Sequence, residues 1–366
     1  SWSGGRIALR AAPLNGMLST NWIDTRTGNR RDTEKQRMDS RVRYGVLSTA
    51  QIARNQHVPA ARESRRSEIV AISSRDVGRA RAVAEELRIA RAYGSYEELI
   101  ADDGIDAVLN PLPNALHCEW TVKAAEVGKH VLCEKPLAMD VAQCRRMIDA
   151  CAANGVLLYE AFTQHFTPMM ERIHEIVASG ELGDVNMIKA ELSYTITDWE
   201  HDVRVLKELG GGALYDAGCY CVNTVRTIMG GEPTDVSAAE RIRRPNETDS
   251  VFTGLLRFPG NRLAFVATSQ EQPFRWPLEV IGTKGVLATD NVFAAKSLTV
   301  RGGDGSRTEE FAPVNRFALQ LDHFSAAIAD GAQLRVVPED GLRNVAVLAA
   351  LKESARTGRV VRPDAS

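Results

Sequence analysis

The sequence predicts an α/β fold in two parts. An N-terminal doubly wound parallel sheet comes first, and an α+β domain with a large, mostly antiparallel open sheet follows. Three observations carry this. From Arg41 to about Tyr159, short apolar runs alternate with amphipathic helical stretches, the pattern of successive βαβ units. Later, strand-like runs follow one another, separated by turns such as Pro259-Gly260-Asn261 and Gly302-Gly303-Asp304-Gly305, which marks antiparallel pairing. The 366 residues are enough for two hydrophobic cores.

Val42 to Leu47 forms the first strand, and the chain turns at Ser48 into a helix reaching about Arg62. Ile69 to Ser73 is the second strand. Asp76 to Leu87 is helical, its alanines and leucine spaced for one buried face. Ser95-Tyr96-Glu97-Glu98 reads as a capping box that opens a helix through Ile100. Ile105 to Leu109 and Val131 to Cys133 are further strands, on either side of a helix from His117 to Val127 closed by Gly128. Asp140 caps a helix whose buried face is Val141, Cys144, Met147, Ile148 and Cys151. Asn154-Gly155 ends it, and Val156 to Tyr159 is one more strand. After a helix at 168–179 come strands at 185–196, 233–242, 250–258, 262–270, 278–281, 285–289 and 297–300. Helices at 316–329 and 339–357 finish the chain. The expected domains are therefore 41–162 and 163–366.

Residues 1–40 match neither part. They are rich in Arg, Gly, Ser, Thr and Asn, without periodicity, and Met38-Asp39-Ser40 directly precedes the first strand. Two readings compete: a leader over 1–37 ahead of a natural start at Met38, or an N-terminal arm that wraps a neighbouring subunit. The net charge of −2 argues for no nucleic-acid partner, and no apolar run is long enough to cross a bilayer. Cys118, Cys133, Cys144, Cys151, Cys219 and Cys221 form no paired C-x-x-C pattern. No metal site is expected, and the cysteines fit buried free thiols in a reducing, cytoplasmic compartment.

Dinucleotide sites need a tight turn, close backbone approach to a pyrophosphate and a helix N-terminus aimed at it. The run Gly45-Val46-Leu47-Ser48-Thr49-Ala50-Gln51-Ile52-Ala53 has that context. Only Gly45 keeps its place, and Ser48 stands where a second glycine is expected. Ser48 and Thr49 offer hydroxyl donors to phosphate in compensation, with Ala50 and Ile52 at the opening of the helix. An ordinary βα turn with a Ser/Thr cap is the alternative. At the end of the second strand, Ser74-Arg75 supplies a hydroxyl and a guanidinium, which suit a ribose 2′-phosphate. Arg79 adds a second positive charge one helical turn on. This favours NADP. If Asp76 rather than Ser74 faces the ribose, the preference reverses to NAD.

The strand His130 to Cys133 stops abruptly at Glu134-Lys135-Pro136. An open α/β sheet places its ligands at such strand ends, so Lys135 is expected to face a crevice.

These pieces carry a family resemblance. Gly45 to Ala53, Ser73-Ser74-Arg75, Pro113-Asn114-x-x-His117, Gly128 to Leu137 with its Glu-Lys-Pro, Glu160-Ala161-Phe162, Gly210-Gly211-Gly212 through Asp216-x-Gly218-x-Tyr220, and Gly282-Thr283-Lys284-Gly285 occur in order. The chain resembles the glucose–fructose oxidoreductase/inositol dehydrogenase/MocA (Gfo/Idh/MocA) superfamily. Within it, Asp216 to Asn223 and the Glu-Ala-Phe run are most similar to NADP-dependent D-xylose dehydrogenases and dimeric dihydrodiol dehydrogenases.

The resemblance implies a Rossmann domain followed by a substrate-binding and oligomerisation domain, assembled as a homodimer or homotetramer. It implies hydride transfer between NADP (or NAD) and a carbinol or carbonyl carbon of a sugar or related cyclic polyol. Alternatives within the superfamily are a ketosugar reductase, a dihydrodiol dehydrogenase, or a non-catalytic cofactor-sensing regulator. Lys135 and Tyr220 are both present, which favours an enzyme. Such chemistry needs a positioned acid/base. Tyr220 is that group, with Lys135 lowering its pKa and bonding the substrate oxygen, and Asp216 orienting substrate hydroxyls or holding Lys135. Leu112, Pro113, Asn114, His117, Glu134 and Lys135 are implied on the cofactor side. Phe162 and His165 are implied on the substrate side with Asp216. Many relatives carry an arginine four or five residues after the glutamate of Glu160-Ala161-Phe162, where this chain has Gln164-His165. Trp276, in Phe274-Arg275-Trp276-Pro277, reads as either pocket wall or sheet packing, with packing favoured.

Overall fold

The computed structural model describes residues 41–365 apart from Pro245 and Asp304. The leader or arm expected over residues 1–40 lies outside the described residues.

Six parallel strands form the first sheet: β1 (Val42–Leu47), β2 (Ser67–Ser73), β3 (Arg91–Tyr93), β4 (Ala107–Asn110), β5 (His130–Cys133) and β6 (Leu158–Glu160). Their order is β3-β2-β1-β4-β5-β6. The chain winds outward from β1 and then restarts at β4 on the other side of it. That reversal opens a crevice at the carboxyl ends of β1 and β4. A π-helical segment, Ala53–His57, runs into α1 (Val58–Glu63), and α2 (Val77–Glu86), α3 (Tyr96–Ile100), α4 (His117–Glu126) and α5 (Val141–Ala153) follow. Asp76 caps α2 by accepting the Arg79 N–H at 3.0 Å, and Asp140 caps α5 by accepting the Gln143 N–H at 2.8 Å. Ser95 caps α3, but the returning bond of Glu98 goes to the Gly94 N–H rather than to Ser95. β3 escapes sequence reading because three half-buried residues carry no measurable period.

After α6 (Pro168–Ala178) comes a nine-stranded sheet: β7 (Val185–Thr195), β8 (Asp235–Arg243), β9 (Thr248–Phe258), β10 (Arg262–Ser269), β11 (Glu271–Arg275), β12 (Leu278–Gly282), β13 (Gly285–Thr289), β14 (Ser297–Gly302) and β15 (Gly305–Glu310). All its pairs are antiparallel except β7 with β10. β11 and β15 are the strands absent from the sequence reading. Their residues are nearly all exposed, so no apolar alternation marks them. α7 (Cys219–Met229) and α9 (Pro338–Thr357) pack Val222, Val225, Val347, Leu348 and Leu351 against Phe252, Leu256 and Val266 of one face. On β9 and β10, Leu255, Leu263 and Phe265 stay exposed.

One helix crosses the expected division at 162/163. α8 (Arg316–Asp330) places Phe317, Ala318, Leu321 and Phe324 in one core with Val42, Tyr44, Val46 and Ile72 of the first sheet. The Tyr44 hydroxyl and Ser325 Oγ lie 2.9 Å apart across this contact. Its apolar stripe covers sheet surface that the local crossover helices leave open.

Candidate active site

Glu134-Lys135-Pro136 leaves the carboxyl end of β5 with the Lys135–Pro136 peptide in cis. Buried groups on both sides fix this turn. The His117 ring lies 2.8 Å from the Pro136 carbonyl oxygen through Nδ1 and 2.8 Å from the Leu112 carbonyl through Nε2. Glu160 Oε1 accepts the Leu137 N–H at 2.7 Å. Glu134 turns to His57, with Oε1 2.7 Å from Nε2. Lys135 then has one direction left, across to the second sheet's helices. Its Nζ donates to the Asp216 carbonyl at 2.7 Å and to Asp216 Oδ1 at 3.2 Å, and lies 4.9 Å from the centre of the Tyr220 ring.

The partner side is set by Gly210-Gly211-Gly212. Gly212 has φ +126°, and a Cβ there would stand 2.5 Å from Asp249 Oδ1, so only glycine serves. Asp249 Oδ2 accepts the Leu214 N–H at 2.7 Å and so fills one open donor at the helix start. A π-helical segment, Leu214–Gly218, leads into α7. Asp216 and Tyr220 consequently both face Lys135. The second oxygen of Asp216 accepts from the Tyr194 hydroxyl on β7. The Tyr220 ring packs edge-on against Phe162 at 5.4 Å and Trp276 at 5.1 Å.

At the crevice between β1 and β4, Ser48 adopts φ +120°, a conformation a non-glycine residue holds only against strain. Its Oγ accepts the Ala50 N–H at 3.1 Å. Thr49 is buried, and Ile52 is exposed one turn on. Gly45 lies inside the sheet, where a Cβ would stand 2.6 Å from Leu99 and 2.7 Å from Ile105. Its glycine is therefore explained by packing rather than by approach to a ligand. At the end of β2, Ser74 is buried while Arg75 and Arg79 are exposed. One oxygen of the exposed Asp76 carboxylate is taken up as the α2 cap. Asn114 donates to the Gly210 carbonyl at 2.9 Å, which ties the β4 loop to the glycine run.

Residues 42–162 match the family model described as "Oxidoreductase family, NAD-binding Rossmann fold", and residues 170–288 match the "GFO/IDH/MocA C-terminal domain". The chain is a member of the Gfo/Idh/MocA oxidoreductase family. It is 38% identical over 326 residues to the D-xylose 1-dehydrogenase (NADP(+)) 2 of Haloferax volcanii, covering 88% of this chain and 99% of the relative. It is 33% identical over 267 residues to the trans-1,2-dihydrobenzene-1,2-diol dehydrogenase of Xenopus laevis, covering 71% of this chain and 79% of the relative. The crystal structure of the 3-ketoreductase KijD10 from Actinomadura kijaniata with NADP and TDP-benzene superposes with a TM-score of 0.81 at 28% identity, over 86% of this chain and 98% of that one.

In this Gfo/Idh/MocA oxidoreductase, burial sets the electrostatics of the cleft. Burial pushes the Lys135 pKa down, but the charges of Asp216, Tyr220, Cys219 and Glu134 outweigh it, and the net direction is upward. Lys135 is an ammonium at neutral pH. Burial raises the Tyr220 hydroxyl above the ordinary tyrosine value, and Lys135 opposes this without cancelling it. The expected lowering by lysine is present in sign and smaller in size than the burial it meets. Glu134 behaves oppositely: burial pushes it up, yet the His57 hydrogen bond and the charges of His57 and Lys135 bring it below the usual carboxylate range.

Several of the expected site residues are buried, with their polar atoms engaged by protein groups. His117 is fully buried, with both ring nitrogens on carbonyls. Burial lowers its pKa, and the two carbonyl acceptors oppose that shift. It reaches the site through Pro136. Phe162 is 1% exposed and backs Tyr220. His165 is buried, with Nε2 2.7 Å from Asn223 Oδ1, and its pKa is pushed down to about 4 by burial. Glu134 contacts His57 before any ligand. Trp276 packs as expected, and what it packs against is Tyr220 itself. Tyr194 and Arg316 are the site neighbours that sequence reading missed. Neither sits in a distinctive motif, and only the fold brings them to Tyr220 and Asp216.

Proposed function

We propose that the protein is an NADP-dependent oxidoreductase that moves a hydride between nicotinamide and a carbinol or carbonyl carbon of a sugar, as an aldose 1-dehydrogenase does. The observation that carries the reading is the Lys135 ammonium, held by Asp216 at 3.2 Å and set 4.9 Å from the Tyr220 ring, at the mouth of a doubly wound sheet. The nicotinamide, when bound, accepts or returns the hydride. Tyr220 takes the substrate hydroxyl proton during oxidation and gives it back to the oxygen during reduction. Lys135 stabilises negative charge on that oxygen and on the phenolate. Asp216, braced by Tyr194, aims Lys135 and accepts hydrogen bonds from neighbouring sugar hydroxyls.

The residues present fit a 2′-phosphorylated dinucleotide. Strained Ser48 shapes the turn with its Oγ on the Ala50 N–H, which leaves the backbone donors of Thr49 and Ile52 to meet a pyrophosphate. Ser74, Arg75 and Arg79 offer hydroxyl and cationic groups for the 2′-phosphate, and the nearest acid, Asp76, is occupied in capping. Leu112, Pro113, Asn114 and Glu134 line the nicotinamide side, while Gly45 and His117 support that wall from within. Phe162 and His165 shape the substrate side from behind Tyr220 and Asn223. The NADP dependence named for the Haloferax relative and the NADP bound to KijD10 support the same cofactor here. The uncovered Leu255, Leu263 and Phe265 on the large sheet support a homodimer or homotetramer formed through that face. No described helix is long and apolar enough to cross a membrane, and a cytoplasmic enzyme is the reading we adopt.

The test is NADPH formation with a panel of aldoses, ketoses and cyclic diols. Tyr220→Phe and Lys135→Ala are each expected to lower turnover about 10²- to 10⁴-fold, the range for a lost acid/base, with NADP⁺ affinity changed less than about threefold. Near-normal turnover in both variants overturns the mechanism.

A further inference from the structure

Arg316 stands out against every other deeply placed cation near the cleft. Arg226, with 2% of its side chain exposed, pairs with Glu232 at 2.7 Å and Asp340 at 2.9 Å. Lys135 pairs with Asp216. Arg316 is largely shielded, yet among the described residues no carboxylate lies within ion-pair range of it. Its Nε is buried without a hydrogen-bond partner, and a terminal nitrogen donates to the Phe293 carbonyl at 2.7 Å. The guanidinium carbon lies over Phe293, 3.7 Å from the ring centre. It is also the first residue of α8, which has no acid in its first turn, so the helix dipole opposes its charge. A partly desolvated cation at the positive end of a helix, with no carboxylate partner, is costly beyond what its Phe293 contacts return.

Two independent chains of contact place it at the reaction cleft. Phe293 touches Trp276 with centroids 6.0 Å apart, and Trp276 packs on Tyr220 at 5.1 Å. On the other side the guanidinium lies 5.4 Å from Phe317, which meets His57 edge-on at 5.1 Å, and His57 holds Glu134 beside Lys135. Arg316 thus flanks both halves of the Lys135–Tyr220 pair. Its charge is felt at Tyr220, where it opposes the upward push of burial. Phe293 and Phe274, 6.0 Å apart and about half exposed, continue the wall outward to solvent.

We propose that Arg316 is an anion subsite of the substrate cleft, and that the preferred substrate is a sugar carrying a carboxylate or phosphate group away from the reacting carbon. This rests on the reading of the Lys135–Tyr220 cleft as a sugar oxidoreductase site. The guanidinium, held by Phe293, matches a bidentate oxyanion through its two terminal nitrogens, one hydrogen of which is spent on the Phe293 carbonyl. A neutral sugar leaves that desolvated charge unpaired.

The test is calorimetric titration of D-glucose, D-glucuronate and D-glucose 6-phosphate into the NADP⁺-saturated protein, with NADP⁺ titrated separately into the free protein. At least one acidic sugar is expected to bind about 10- to 100-fold more tightly than D-glucose, the effect of a charge-assisted hydrogen bond. Arg316→Met is expected to abolish that advantage. D-glucose and NADP⁺ affinities stay within about threefold, the scale of an uninvolved site. Arg316→Lys, which keeps the charge, is expected to retain part of the advantage and serves where the methionine variant melts early. Which of the two acids gains identifies carboxylate or phosphate as the ligand group. Equal binding of acidic and neutral sugars overturns the proposal. So does a tenfold or greater loss of NADP⁺ affinity in Arg316→Met, which makes the cofactor's pyrophosphate the partner. Anion-selective binding without NADPH formation from any sugar upholds the subsite and removes the sugar-oxidation reading instead.

Discussion

Glu160 connects the lysine turn to stability in a measurable way. The carboxyl is buried at the end of β6, where Oε1 accepts the Leu137 N–H at 2.7 Å and Oε2 has no hydrogen-bond partner. Burial first, and the Asp340 charge second, push its pKa from 4.5 up to about 8, against the pull of the Leu137 bond, Arg226 and Lys135. The folded state therefore holds this proton over a range in which the unfolded chain has released it. Below pH 4.5 both states are protonated and the group contributes no pH dependence. Between 4.5 and about 8 each rise in pH favours unfolding, and above about 8 both states are ionised and the loss levels off. At 1.36 kcal/mol per decade of proton affinity, the full loss approaches about 5 kcal/mol. Glu160→Gln keeps an acceptor for Leu137 and removes the ionisation. The variant is expected to match the wild type near pH 5 and to be more stable near pH 8.5, by up to about 5 kcal/mol. Urea unfolding followed by tryptophan fluorescence across that pH range gives the comparison. Wild-type and variant curves that run parallel in pH would refute the assignment of this carboxyl as a buried, proton-holding group.

The Tyr220 environment predicts a pH profile. Because burial raises its pKa, kcat/KM for oxidation should climb through about pH 7 to 10 as phenolate forms, while the reductive direction stays flat near neutrality. An oxidative profile flat over that range assigns the base elsewhere. Ser74→Asp should move cofactor preference from NADP toward NAD by about tenfold or more, through like-charge repulsion of the 2′-phosphate and a new acceptor for the ribose. An unchanged ratio of kcat/KM for the two cofactors rejects the β2-end argument. Lys135→Ala should raise the Tyr220 pKa further, which a tyrosine ultraviolet titration reads as a later phenolate absorbance.

The two kinds of sheet, most element positions, and the residues that meet at the centre of the cleft are legible in one dimension. Periodicity reports burial directly, so a parallel strand such as β4, buried at every position, and a capped helix such as α5 are visible in one dimension. The resemblance carried by Glu134-Lys135-Pro136 and Asp216-x-Gly218-x-Tyr220 marked Lys135 and Tyr220 as partners, and the fold brings them within 4.9 Å. Which candidates are buried and which line the cleft follows from long-range packing instead. His117, Phe162 and His165 carry side chains suited to ligands, but packing points them into the core, and no local pattern records that direction. The same holds for α8. Its apolar stripe is legible, while the β1 and β2 residues it covers lie more than two hundred residues earlier in the chain. Arg316 follows from that return. A lone arginine at a helix start reads as a solvated charge, and the fold is what buries its Nε and links it through Phe293 and Trp276 to Tyr220. Local patterns encode what is buried, and the topology of long-range contacts decides what that burial leaves facing a ligand.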